Sequence, residues 1–286
     1  MSLEILSSKT GLDLCDQTPL TFGHNARLSR LKDRSGQCYI AKEATGTDGK
    51  LDLEGWMLEK LAAAGLPVPK VYWKSPVMLV MDELPTGGGK TNRFEEKAAE
   101  AMAALHKNKA EKFGLEKDTL IGPLHQPNPP YSNWTDFFRD QRMLHFARQA
   151  LKTGQIDTNL MRDIETLASK LDEYLTDNSA PCLIHGDAWA GNILGNGTDL
   201  SGFIDPAIYY ADPEIELAFV DLMGGMGAAF FDRYHDQIPE RDGFWEIRRR
   251  IYQLYPLLVH TILYGHGYAQ QVQQIVKRFS QAGRHI

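Results

Sequence analysis

An aspartate at 187, an asparagine at 192 and a second aspartate at 205 lie in two short stretches, HGDAWAGN (185–192) and GFIDPA (202–207). These are the residue types that phosphoryl transfer asks for. A phosphoryl group in flight needs little covalent help. It needs a divalent cation to neutralise its oxygens and a carboxylate to orient the attacking hydroxyl and take its proton. Asp187 suits the carboxylate role. Asn192 offers a neutral carbonyl oxygen and Asp205 a charged one, the hard oxygen donors that Mg2+ takes, with phosphate oxygens and water completing its shell. Gly-Asp and Gly-Asn pairs alone are turn formers. The joint order of His185, Asp187, Asn192 and Asp205, flanked by short apolar runs, is what separates this region from a turn. His185 is expected to hydrogen-bond the loop's own backbone.

ATP as the phosphoryl donor calls for a lysine on an N-terminal strand, paired with a helical glutamate, to hold the nucleotide's phosphates. Lys42 ends the strand-like run QCYIAK, and Glu54 on the helix that follows is its natural partner, with Glu59 the rival one turn later. The phosphate-covering turn is expected at Thr21 to Ala26, with Gly23 supplying one close backbone approach and Asn25 contacting a phosphate or capping the turn. Residues 79–84 (LVMDEL), with Met81 and Glu83 as its candidates, are the hinge expected to pair its backbone with adenine.

The elements that must position these groups can be read from periodicity. Runs at 37–42, 70–73 and 77–81 are rich in β-branched and aromatic residues and read as strands. Between them, residues 51–64 repeat apolar side chains at helical spacing (Leu53, Trp56, Met57, Leu61, Ala64). After Pro85-Thr86-Gly87-Gly88-Gly89, a loop or hinge, the pattern turns helical. A helix starts at an Asn92/Glu95 pair that fits a capping box, others span about 133–152 and 157–175, and more fill 212–286. Residues 182–184, 192–194 and 203–204 are too short for helices and suit strands carrying the polar loop. The expected fold class is therefore α+β and bilobal. An N-terminal nucleotide-binding lobe (1–84) has a small antiparallel sheet and one helix, and a larger, mainly helical C-terminal lobe (85–286) carries catalysis and substrate binding. Clefts between such lobes are where ligands usually bind.

Composition narrows the partners. With 286 residues, a net charge of −6 and no Lys/Arg-rich run, the chain has no electrostatic footprint for nucleic acid or an anionic membrane. A small soluble ligand is the expected partner, and the sequence leaves the oligomeric state open. Cys15, Cys38 and Cys182 lack paired spacing and read as reduced thiols. Neither a signal-peptide pattern nor eighteen uninterrupted apolar residues occur, so a cytoplasmic location is expected.

On these residues the chain resembles the fructosamine (ketosamine) kinases, in the aminoglycoside-phosphotransferase branch of the protein-kinase-like fold. HGDAWAGN is similar to that family's HGDLWSGN, with Ala188 and Ala190 as departures that leave the polar positions intact. IDPAIYYADPEIELAF (204–219) resembles its second-aspartate segment. IGPLHQPN (121–128), with the Trp134-to-Arg142 stretch after it, resembles its substrate-side insertion, and RRRIYQLYPLLVHTILYGHGY (248–268) its C-terminal helices. The resemblance implies ATP- and Mg2+-dependent phosphorylation of the 3-hydroxyl of a fructosamine or ribulosamine on a lysine or small amine, giving an adduct that falls apart. It implies Asp187 as base, Asn192 and Asp205 on the metal, and Lys42 and Glu54 on the nucleotide. It makes Trp189 a candidate to stack on a sugar face, and Gln126, Asn128, Tyr209 and Asp212 candidate substrate contacts. A kinase for another small hydroxyl compound, such as an aminoglycoside or amino alcohol, is the alternative, against which the segment 121–128 argues. The single glycine of the phosphate turn departs from the family's usual pair.

Overall fold

Residues 78–82 (MLVMD) are apolar on both sides of the strand, and the reason is visible in the computed structural model, which describes residues 1–22, 26–46, 49–175 and 179–282. In chain order the elements are α1 (Leu3–Thr10), β1 (Leu14–Phe22), β2 (Ala26–Asp33), β3 (Cys38–Ala44), α2 (Leu51–Ala63), β4 (Val71–Ser75), β5 (Met78–Asp82), α3 (Asn92–Leu105), β6 (Thr119–Ile121), β7 (Leu124–Gln126) and α4 (Trp134–Phe137). They continue with α5 (Leu144–Lys152), α6 (Thr158–Ala168), β8 (Cys182–Ile184), β9 (Ile193–Asn196), β10 (Asp199–Phe203), β11 (Tyr209–Ala211), α7 (Glu214–Met223), α8 (Ala228–His235), α9 (Arg249–Tyr264) and α10 (His266–Ala282). The chain divides into two compact units. One comprises Met1–Leu105, Ala190–Pro206 and Gly227–Tyr234, the other His106–Trp189, Ala207–Met226 and His235–Ile286.

In the first unit, five antiparallel strands lie in the order β1-β2-β3-β5-β4. Side chains on a strand alternate between faces. Tyr39, Ala41, Met78 and Val80 join Leu6 of α1, Leu14 and Leu31 on one face, while Leu79 and Met81, with Ile40 beside them, join Leu51 and Leu58 of α2 on the other. Helices on both faces explain the continuous apolar run of β5. The same parity puts Lys42, two residues after Ile40 and paired with Leu79, on the α2 face. Gly55 is buried in α2; a Cβ there would lie 2.9 Å from the Lys74 side chain and 3.0 Å from Leu79, so the missing side chain lets the helix settle closely on the sheet beside Glu54. Helix α1 is an addition to the one helix expected in this part; only Leu6 of it is buried. Thr91, not Asn92, caps α3, accepting from the Phe94 N–H at 3.3 Å. Glu95 leaves the expected box and accepts from the Gly227 N–H at 2.9 Å.

In the second unit the predicted helix at 133–152 starts with an Asn133 cap, whose side chain accepts from the Asp136 N–H at 2.8 Å, and α4 passes through a π-helical turn (Phe138–Met143) into α5. The helix expected over 157–175 is capped by Asp157 but stops at Ala168, a short 3-10 turn at Leu171–Glu173 following it. Helix α9 packs against α5, α7 and α10. Trp134 lies fully buried beside Phe113, Phe137, Phe138 and Tyr252 and donates to the Tyr252 hydroxyl at 2.9 Å. Strand β8 pairs with β11, and β6 with β7. Among the described residues no helix is long and apolar enough to cross a membrane.

Candidate active site

The β9–β10 hairpin sets the geometry of the first unit's polar cluster. Its ladder ends at the Ile193–Phe203 pair, and the Ile204 N–H donates to the Asn192 carbonyl at 2.9 Å. Asn192 and Asp205, thirteen residues apart in sequence, therefore leave the same end of one hairpin. Asn192 is 5% exposed; the Asp205 side chain is 45% exposed. Asp205 has φ 53°, a left-handed backbone that Asp tolerates better than most residues and that is found at functional turns.

The Asp205 carboxylate forms an ion pair with Lys42, whose Nζ also lies 2.6 Å from Glu54 Oε1. Glu59 instead pairs with Lys74. Burial by itself would lower the Lys42 pKa, but the two carboxylates outweigh it and hold the ammonium above the usual lysine range, so it stays charged. Burial pushes Glu54 up, Lys42 opposes and the second carboxylate adds to the rise, leaving it above the ordinary glutamate value. One ammonium is thus shared by two carboxylates on opposite sides of the site.

The glycine run beyond β5 is part of this cluster. The Gly87 N–H donates to the Gly195 carbonyl at 3.1 Å and the Gly197 N–H to the Gly87 carbonyl at 2.9 Å. Gly88, at φ 62°, comes so near that a Cβ would stand 3.1 Å from the Gly197 nitrogen. Lys90 then donates to the Ala190 carbonyl. Of the hinge candidates, Met81 is taken up in the sheet between Ile40 and Val71, and Glu83 is gripped by Arg30 while its N–H donates to the Cys38 carbonyl at 3.4 Å. Gly23 and Asn25 lie outside the described residues.

In the second unit β8 delivers the turn that carries Asp187. Its backbone is held along both edges. The Ala207 N–H donates to the His185 carbonyl at 2.8 Å, and the carboxylate of Glu216, on α7, accepts from the N–H groups of His185 at 3.1 Å and Gly186 at 2.6 Å. Gly186 has φ 85°, and a Cβ on it would lie 2.0 Å from the Ala207 carbonyl oxygen; no other residue fits. The Asp187 N–H donates to His185 Nδ1 at 3.3 Å, so His185 serves the loop backbone. His106 Nε2 stands 2.9 Å from Glu216. Burial alone would raise the Glu216 pKa, but His106, His185 and the loop amide outweigh it and hold the carboxyl below the ordinary range. Glu216, unassigned by motif spacing although it sits inside the 204–219 segment, is the residue that fixes the turn.

A depressed carboxyl contributes stability that is complete above its ordinary value of 4.5 and is lost as pH falls through the lower, folded value. Glu216→Gln presents an amide N–H to donors already aimed at it. It is expected to cost on the order of 3 kcal/mol at neutral pH and to flatten the acid limb of stability below the ordinary glutamate value, as read by urea unfolding across pH. An unchanged acid limb would show that another group governs it.

Four of the five substrate candidates are interior. Gln126, Asn128, Tyr209 and Asp212 are each 1% exposed or less. Asp212 is held by Arg241 at 2.6 and 2.7 Å and by the Tyr252 hydroxyl at 3.2 Å, and Tyr209 carries the Arg142 guanidinium 3.8 Å over its ring. Reading them as side chains that touch a sugar is corrected by that burial, which leaves no surface for a ligand. Trp189 is 37% exposed.

With this geometry in place, the chain can be set beside known proteins. The fructosamine kinase family model matches residues 5–282. A probable ketoamine kinase of Enterococcus faecium is 33% identical over 91% of this chain and 94% of its own length. The crystal structure of a candidate fructosamine-3-kinase from Thermobifida fusca superposes with a TM-score of 0.89 at 30% identity, covering 96% of both chains. An ADP-bound aminoglycoside phosphotransferase, APH(2'')-Ib, matches at a TM-score of 0.64 and 16% identity over 96% of this chain and 97% of its own, a likeness of fold.

Proposed function

The chain belongs to the fructosamine kinase family, and we propose that it moves the γ-phosphoryl group of ATP to the 3-hydroxyl of a ketoamine, a fructosyl or ribulosyl adduct of a lysine or small amine. The observation that carries this reading is the convergence of Lys42, Glu54, Asp205 and Asn192 at one end of the β9–β10 hairpin. An ammonium shared by two carboxylates, with Asn192 on the adjoining strand end, suits a triphosphate and its counter-ion.

The donors fit magnesium. Asn192 and Asp205 supply one amide and one carboxylate oxygen, hard ligands both, and among the described residues no group of three or more His, Cys, Asp or Glu forms a self-sufficient cage. A two-donor site of this kind is completed by phosphate oxygens and water. When bound, the ion would neutralise charge on the transferring phosphoryl oxygens. Lys42, held by Glu54, binds the phosphates of the donor. Asp187 orients the substrate hydroxyl and accepts its proton as the oxygen bonds to the γ-phosphorus and the bond from that phosphorus to the β–γ bridging oxygen breaks, releasing ADP. Glu216 and Gly186 keep the Asp187 turn in shape without touching the reactants. Trp189 offers its face to the sugar.

Incubation with ATP, magnesium and fructosyl-lysine, ribulosyl-lysine, an aminoglycoside and choline should release ADP with the two ketoamines only. Turnover with the aminoglycoside or choline alone would replace the substrate class and keep the phosphotransfer.

A further inference from the structure

The hairpin β6–β7 and the helix bearing Arg142 are the part of the second unit that phosphoryl transfer leaves without a task. Its polar side chains are packed as a core. Thr119, Gln126, Asn128 and Arg142 are each 1% exposed or less, a placement that costs free energy wherever a polar group lacks a partner, as Arg142 Nε does. The partners run in one line. Arg142 Nη2 donates to Asn128 Oδ1 at 2.6 Å; Asn128 Nδ2 and Gln126 Nε2 both donate to Thr119 Oγ1, at 2.9 and 2.7 Å. Gln126 Nε2 donates again to the Ala207 carbonyl at 3.0 Å, and the Tyr255 hydroxyl donates to Gln126 Oε1.

Ala207 is where the line meets the chemistry. Its N–H holds the His185 carbonyl, and its carbonyl oxygen is the atom that forbids a side chain on Gly186. Gln126 therefore bonds the very peptide against which the Asp187 turn is moulded. Burial, Tyr209 and the Asp187 charge raise the Tyr255 hydroxyl well above its ordinary pKa against the opposing Arg142, so it remains a donor at any working pH. Arg142, in the π-helical turn, closes the far end with its guanidinium 3.8 Å from the Tyr209 ring centre and 4.7 Å from that of Phe137.

We propose that Gln126 and Tyr255 are positioning residues: they brace Ala207 and through it the catalytic turn, and neither side chain touches the ketoamine. This rests on the reading of Asp187 as the base. The brace has consequences that a substrate contact and a purely structural role do not share. Misplacing a catalytic group lowers kcat and leaves both KM values alone, whereas a lost substrate contact raises KM for the ketoamine.

The test uses the full chain with Gln126→Met, Tyr255→Phe, the double variant and Asp187→Asn. Steady-state kinetics are run on whichever ketoamine the unmodified protein phosphorylates, with hydrogen exchange of the amides at 185–189 alongside. Each single variant is expected to lose about tenfold in kcat with both KM values within about twofold. The double variant should lose little more than the worse single one, because both act through one bond. Amide exchange at 185–189 should speed up by about tenfold while that of α9 is unchanged. An unchanged kcat, a raised ketoamine KM at normal kcat, or unaltered exchange at 185–189 would overturn the brace. Exchange is read without substrate, so it decides even if no ketoamine is turned over. If Asp187→Asn keeps its rate while the brace variants lose theirs, the assignment of the base fails instead. Tyr255→Phe, which removes one oxygen, covers the case in which Gln126→Met does not fold.

Discussion

Asp187→Asn is expected to lower kcat by on the order of a thousandfold or more while ATP binding is retained. The amide keeps the side chain's shape and cannot accept the hydroxyl proton. Because the carboxylate of Glu216 and the N–H of Ala207 hold this turn at the backbone of His185 and Gly186, the substitution at Asp187 leaves those bonds in place. Single-turnover phosphate transfer, with fluorescent-nucleotide binding run in parallel, separates the two quantities. A variant within tenfold of the unmodified rate would move the role of base to another residue.

The second large effect lies at Lys42. Lys42→Met removes the ammonium that Glu54 and Asp205 share and leaves two carboxylates facing each other across the site. We expect kcat/KM for ATP to fall by on the order of a hundred- to a thousandfold. The loss should come with a rise in the Glu54 pKa, since burial and Asp205 already push it upward and Lys42 is what opposes them. ATP titration of initial rates checks the first expectation. If kcat/KM for ATP changes by less than about fivefold, the phosphates are held elsewhere.

Much of this arrangement was readable from residue order because it depends on parity and spacing. Lys42 follows Ile40 by two on a strand, and Asn192 and Asp205 bracket a hairpin, so backbone geometry alone sets the face and the hairpin end on which they lie. Other parts left no such trace. In β1 only Leu14 among residues 14–20 is buried, so the strand shows no alternation, and α1 buries Leu6 alone. The π-helical turn at Phe138–Met143 interrupts a helix without changing its apolar pattern over so few residues. Gln126, Asn128, Tyr209 and Asp212 show the deeper difficulty. A polar residue in an unusual segment looks like a ligand contact, yet the same residue type serves as a buried strut, and sequence order does not distinguish them. Glu216 is the converse: its apolar neighbours on α7 disguise a carboxylate whose two oxygens hold the backbone of the Asp187 turn.

The left-handed backbone at Asp205 bears on how this position can be probed. Asparagine and glycine are the replacements whose peptide torsions cost least there, whereas alanine or a β-branched residue pays a conformational penalty of about 1 kcal/mol or more before any chemistry is altered. Saturation mutagenesis at 205 would therefore sort its survivors by torsional tolerance first and by carboxylate chemistry second, so the asparagine variant is the clean chemical probe.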